Sequence, residues 1–341
     1  MLHDFIGREA FKNGMKHYLT THSYQNTQTE DLWASLETAS GKPVGKVMTT
    51  WTGQMGFPLI KVDSRLDGNT RILTLTQEKF NADGSSTAGA LWNVPIKILK
   101  SNKEVIEVLM DQKELIVKLE DVQEQDWFKV NPDSFGIFDY TYKRVSKFFK
   151  NIIFLKENNI FLGYYRVQYL NEGDVQRLKP AIEQKILNEV DRLSLIDDMF
   201  ALVQAGKADT VEALELMKAF KTKETSYVVW SSIMNCLGKL RIIIAHDTEL
   251  DEKFQAFVVD LLTNVTEHVG WNAKAEEHHV VSLLRSQLLA RMGCYGHKAT
   301  VEEAQKRFHV NIFSSCIRFP PKFLQHSISV NFFEQNDIIT R

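Results

Sequence analysis

Little in this sequence is extreme, and its scarcities already narrow what it can be. Cysteine occurs three times in 341 residues, at Cys236, Cys294 and Cys316. An odd number at wide spacing makes no disulfide framework and fits reduced thiols inside a cell. No apolar run approaches the roughly 20 residues that span a bilayer. The first residues, Met1 to Glu9, carry Asp4 and Glu9 and lack a long apolar core, so they do not read as a signal peptide. Excess charge of one sign is missing too, because 41 Lys and Arg face 43 Asp and Glu. Neither nucleic acid nor an anionic membrane is called for as a partner. The expectation is a cytoplasmic protein.

What is present is an ordinary globular composition, 44% apolar and 25% charged, at a length that suits two or three domains. Three regimes of periodicity follow one another. From Leu2 to about Trp51 the apolar spacing is helical, with Phe5, Phe11, Met15 and Leu19 near one face. The segment Thr27-Gln28-Thr29-Glu30 predicts a helix start capped by Thr27 or Thr29, and Gly41 and Pro43 predict its end. From Leu59 to Tyr169 the period changes to two, cleanly so at Arg71–Thr76, Val94–Ile98 and Leu115–Leu119. Asp67-Gly68-Asn69 is a hairpin signal between two such strands, and the pattern predicts a small β-sandwich. From about Gly173 the helical period returns in short runs with brief connections. These resemble stacked helical pairs of the solenoid type without a strict repeat.

Two stretches break the pattern. Residues 137–163 are dominated by Phe, Ile, Lys, Asn and Tyr, and Phe135-Gly136 before them is echoed by Leu162-Gly163 after them. Joining Asp133–Gly136 to Tyr164–Tyr169 would make one uninterrupted strand. A translated intron and a lineage-specific loop both fit this insert. A spliced transcript that retains the stretch in frame would sink the intron reading. The tail after Phe308 has the same flavour, with Asn311-Ile312-Phe313 and Pro320-Pro321, and reads as divergent and disordered over 309–341.

Several segments carry a family resemblance, in order along the chain. Met1-Leu2-His3-Asp4-Phe5-Ile6-Gly7, Thr29-Glu30-Asp31-Leu32-Trp33 and Trp51-Thr52-Gly53-Gln54-Met55-Gly56-Phe57-Pro58 come first. Gly163-Tyr164-Tyr165-Arg166-Val167-Gln168-Tyr169 and Asp191-Arg192-Leu193-Ser194-Leu195-Ile196-Asp197-Asp198 follow, and Trp271 and Gly296-His297-Lys298-Ala299-Thr300 continue in register. Together they resemble the carboxy-terminal part of zinc aminopeptidases of the puromycin-sensitive type. The resemblance implies a multidomain α+β fold. Residues 1–57 would be the last helices of a thermolysin-like catalytic domain, 58–170 a small β-sandwich, and 171–308 the start of an α-helical, solenoid-like (HEAT/armadillo-like) C-terminal domain. That domain would be truncated here, and in the family it closes over the active site. The chain is expected to begin inside a structural element, just after the family's catalytic machinery.

The chemistry that the resemblance implies is carried by a zinc ion on the two histidines of H-E-x-x-H and a downstream Glu, with the motif's own Glu as general base. A Gly-x-Met-Glu-Asn loop holds the substrate amino terminus and a Tyr stabilises the tetrahedral intermediate. No His-Glu-x-x-His and no Met-Glu-Asn occurs in this sequence. No catalytic, cofactor-binding or metal residue is therefore carried over, and the chain is expected to be inactive alone. Peptides would be ligands of the intact enzyme, and association with such an enzyme is a further expectation. Rival readings are a non-catalytic binding or dimerisation module and the product of a faulty gene model or decaying gene.

Other candidates have bland alternatives. Glu276-Glu277-His278-His279 is the one His/Glu cluster, but adjacent histidines on a helix point about 100° apart and cannot chelate as an i, i+4 pair does. A solvated helix start is the better reading. His3 and His17 read as surface residues, Cys236 and Cys294 as core thiols, Gly7 and Gly14 as close-packing points, and the six tryptophans as core aromatics. Arg166 could face a peptide cavity, and a structural ion pair is preferred. The first helices, lacking a domain to pack on, are expected to leave Phe5, Phe11 and Met15 exposed.

Overall fold

The computed structural model describes residues 1–87, 89–133, 164–274 and 276–316, with side chains given up to His309 in the last stretch. The chain divides at Lys239 and Leu240 into two compact units. The insert at 137–163 and the end of the tail lie outside the described residues.

The first unit opens with α1 (Leu2–Ile6), α2 (Arg8–Thr21), α3 (Thr29–Ser40) and α4 (Val44–Thr52). Gly14 lets α2 approach α3 closely, since a Cβ there would lie 2.9 Å from the Leu36 Cα. That contact brings Ile6, Leu36 and Val44 into one small core, with Phe5, Phe11 and Met15 packed half-buried against it. Of the predicted apolar face only Leu19 is well exposed. The helices thus cover one another, contrary to the expected bare surface. The cap of α3 also differs from both expected residues. Gln28 takes that place, and its backbone N–H donates to the Asp31 carboxylate at 2.8 Å. Gly7 is not the close-packing point expected. No atom lies near its missing Cβ, but its φ of 85° and ψ of 154° at the α1–α2 corner belong to a region that L side chains avoid.

The alternating segments form two sheets. One has the order β5-β2-β1-β7, from β1 (Pro58–Asp67), β2 (Thr70–Lys79), β5 (Glu114–Leu119) and β7 (Arg166–Tyr169). The other has the order β4-β3-β6, from β3 (Val94–Lys100), β4 (Val105–Met110) and β6 (Phe128–Val130). The hairpin β1–β2 closes at Asp67 opposite Thr70, and Gly68 takes φ 58° at the first central position, as this tight turn requires. Pro95 is tolerated in the middle strand β3 because β6 pairs only with Ile98 to Lys100. The last strand, β7, runs parallel to β1, with Leu59 opposite Arg166. Inward residues of both sheets, among them Ile60, Val62, Leu73, Ile96, Ile98 and Val167, share one core. Burying each contributes about 1.5–3 kcal/mol. Trp92 is enclosed there, and Gln77 caps its backbone by accepting from the Trp92 N–H and donating to the Trp92 carbonyl, both at 2.9 Å.

Helices α5 (Glu172–Glu183), α6 (Glu189–Gln204) and α7 (Thr210–Met217), a 3₁₀ turn (Lys218–Phe220) and most of α8 (Tyr227–Ile244) complete this unit. Their N-termini are capped by Asn171, Asn188 and Asp209 for α5, α6 and α7. Helix α8 alone among the described helices is long and apolar enough to cross a membrane, and its Val229, Trp230, Ile233, Met234 and Leu237 are buried core residues. The second unit contains α9 (Thr248–Val269), α10 (His279–Cys294) and α11 (Lys298–Cys316), with α9 packed on α10 and α10 on α11. Helix α11 continues eight residues past the boundary expected at Phe308.

Candidate functional site

The described residues contain no group of three His, Cys, Asp or Glu side chains able to hold a metal ion. The zinc chemistry that the sequence resemblance implies does not fit the residues described. Of the acidic and His cluster, Glu277 is bound by Arg285, whose Nη2 lies 2.6 and 2.8 Å from its two carboxylate oxygens. His278 precedes α10 as its N-cap and accepts from the Val280 N–H, while His279 stands exposed in the first turn. Both histidines therefore serve or flank a helix start. His3 and His17 are exposed. Cys236 is buried, and burial pushes its thiol up to about 12, far from the thiolate a nucleophile needs. Cys294, expected in the core, is instead exposed, because it ends α10 beside the Tyr295 turn.

None of the six tryptophans is exposed. Trp92 and Trp230 are fully buried, and Trp33, Trp51, Trp127 and Trp271 are half-buried. The Trp230 indole N–H donates to the Glu224 carbonyl at 3.0 Å, and the Trp51 N–H donates to the Asn93 carbonyl at 2.9 Å. Arg307 stacks over Trp271 at 4.8 Å. The tryptophans are thus core or half-buried packing residues, as expected, and form no exposed cluster.

Charge is concentrated where the sandwich meets α5 and α6. Arg166 leaves β7 and places its Nη1 2.8 Å from Asp197 Oδ2 and 2.9 Å from Asp198 Oδ1, with its guanidinium over the Phe80 ring. Asp198 Oδ2 also accepts the Val167 N–H at 3.1 Å. Burial of Asp198 pushes its carboxyl up to about 6 against the opposing pull of Arg166. Nearby, the buried Lys129 of β6 meets Asp191 at 3.2 Å. Asp174, on α5, accepts from the Ser64 hydroxyl at 2.7 Å and from Arg71 and Arg177. Arg166 is thus a structural ion pair. Asp197 and Asp198 are adjacent in sequence, but nothing in their spacing names Arg166 as the partner 31 residues away.

Along the chain, residues 1–51 match the model of the Peptidase family M1 domain and residues 154–322 that of the ERAP1-like C-terminal domain. The second match begins before β7 and runs past Cys316. Aminopeptidase M1-A of Oryza sativa subsp. japonica is 32% identical over 317 residues, covering 91% of this chain and 32% of that protein. The puromycin-sensitive aminopeptidase of Caenorhabditis elegans is 30% identical over 315 residues, 91% of this chain and 30% of its own length. A glutamyl aminopeptidase of Bitis rhinoceros is 33% identical over 299 residues, 85% of this chain and 28% of its own. The chain spans about a third of the length of the curated relatives it matches.

Proposed function

We propose, from the chain's membership of the M1 aminopeptidase family, that it is the carboxy-terminal part of a zinc aminopeptidase that removes amino-terminal residues from peptides. The observation that carries this reading is the collinear match over 91% of the chain to aminopeptidases of which it covers about a third. In this reading α1 to α4 are the last helices of the thermolysin-like peptidase domain. The two-sheet body is the β-sandwich behind it. The helices from α5 onward begin a solenoid-like bowl that walls the peptide chamber. The zinc ligands, the general base and the amino-terminus clamp belong to the peptidase segment, so the chain as given is inert as a peptidase. Its contribution is to support and enclose. The unpaired Cys236 and Cys294 suit a reducing cytoplasm.

The test is hydrolysis of an aminoacyl-coumarin amide by the purified chain, with zinc added, alone and mixed with a separately expressed M1 peptidase segment. Turnover only in the mixture is expected. Turnover by the chain alone would overturn the assignment of inertness. A chain that restores nothing and pairs with its own copies would support a binding or dimerisation module instead.

A further inference from the structure

A cavity of about 560 Å³ lies within the first unit, walled by β7, β6 and helices α5, α6 and α7. That volume is in the range of small-molecule sites, about 300–1,000 Å³. Val167, Leu178, Leu195, Leu202 and Leu216 supply much of its apolar lining. Its polar groups are strongly biased toward acceptors. Two lysines line it, and each is already engaged, Lys129 with Asp191 at 3.2 Å and Lys207 with Glu78 at 3.0 Å.

The carboxylates at its edge are not engaged in the same way. Glu172 opens α5, Asp209 caps α7 and Glu212 lies in the first turn of α7. None of the three has an ion-pair partner among the described residues. Burial, followed by the charges of Glu172 and Asp209, raises the Glu212 carboxyl above its ordinary value, so the three sense one another's field. One more acceptor is idle in the wall. Gln168 spends its amide N–H on the Lys207 carbonyl at 2.6 Å, leaving its buried Oε1 without a donor. A buried acceptor with no partner costs about 1–3 kcal/mol, and a bound donor would recover that.

We propose that this cavity is a binding site for an amphipathic primary amine, an apolar chain or ring ending in an ammonium group. The apolar body fills the wall between Val167 and Leu216. The ammonium has three donors and no acceptor, which matches the surplus of acceptors at Glu212, Glu172 and Gln168. An anion of the same shape meets the negative field of Glu172, Asp209 and Glu212, which Lys179 offsets only in part, and a neutral alcohol forgoes the charge.

Calorimetric titration of the full chain tests this with three probes of one shape: 2-phenylethylamine, 2-phenylethanol and 3-phenylpropanoate at pH 7. Saturable binding of the amine, roughly tenfold tighter than that of the alcohol, with none of the anion, is expected from one charge-assisted contact. Glu212→Gln should weaken the amine roughly tenfold and leave the alcohol unchanged, and Ala208→Phe, which fills the cavity, should abolish both. Glu212→Gln keeps the side chain's size and breaks no ion pair, so it keeps the fold even where the cavity-filling variant does not. Absence of saturable amine binding, equal binding of all three probes, or amine binding indifferent to Glu212→Gln would each overturn the proposal.

Discussion

Asp198→Asn tests the balance between burial and pairing at the junction of β7 and α6. The carboxyl is buried, holds Arg166 and the Val167 N–H, and titrates near 6 rather than at its ordinary 3.8. A pKa raised by about 2.2 units is worth about 3 kcal/mol at 1.36 kcal/mol per unit. Because the folded value lies above the unfolded one, this stabilisation is complete below pH 3.8 and is lost as pH rises through about 6. Asparagine keeps the size and one acceptor and does not titrate. The stability of the Asn variant relative to the parent should therefore improve by up to about 3 kcal/mol between pH 3.8 and pH 7. Urea unfolding at a series of pH values, followed by tryptophan fluorescence, reads that difference and cancels every other carboxylate. A difference that moves the other way, with the parent gaining on the variant as pH rises, would refute the reasoning. It would mean that the Arg166 pair outweighs desolvation.

Two further substitutions probe backbone and buried charge. Gly7→Ala meets no atom, so its whole cost is backbone, about 1–3 kcal/mol for φ 85° and ψ 154°; a melting temperature unchanged from the parent would contradict that. Lys129→Met leaves Asp191 buried without its cation and should destabilise by about 3–5 kcal/mol, with Lys129→Met/Asp191→Asn recovering a large part in denaturant titrations.

The parts of this fold that were legible are those whose signal is local. Alternation over Arg71–Thr76 and the Asp67-Gly68-Asn69 turn specify β1, β2 and their register without any distant partner. Partner choice was not legible. The parallel pairing of Leu59 with Arg166 joins residues over a hundred positions apart, and period-two patterns say which face is buried but not which strand lies alongside. Gly7 and Gly14 look alike in sequence, yet one is required by its dihedrals and the other by the backbone of Leu36. Lys129 sits in a three-residue strand buried on both sides, where composition predicts a solvated lysine. The amine cavity is illegible for the same reason as the strand pairing, since five elements contribute to it and no two of its carboxylates share a motif with Gln168.

The boundary between sandwich and helices, near residue 170, is sharp in sequence and absent in energetics. Four buried or half-buried polar groups of the sheets find their partners on the helices: Ser64 and Arg71 on Asp174, Lys129 on Asp191, and Arg166 on Asp197 and Asp198. Lys207 returns the exchange to Glu78 of β2. Cutting the chain after Tyr169 would leave Arg71 and Lys129, 3% and 2% exposed in their side chains, without those partners. Breaking one such pair costs about 3–5 kcal/mol, and two remove a large part of the roughly 5–15 kcal/mol by which a domain is stable. Residues 58–170 expressed alone should therefore lack a cooperative unfolding transition, while residues 1–239 should show one. A sharp urea transition from the isolated sandwich would mean that water enters to solvate Arg71 and Lys129, and that these ion pairs set the docking of the helices rather than the stability of the sheets.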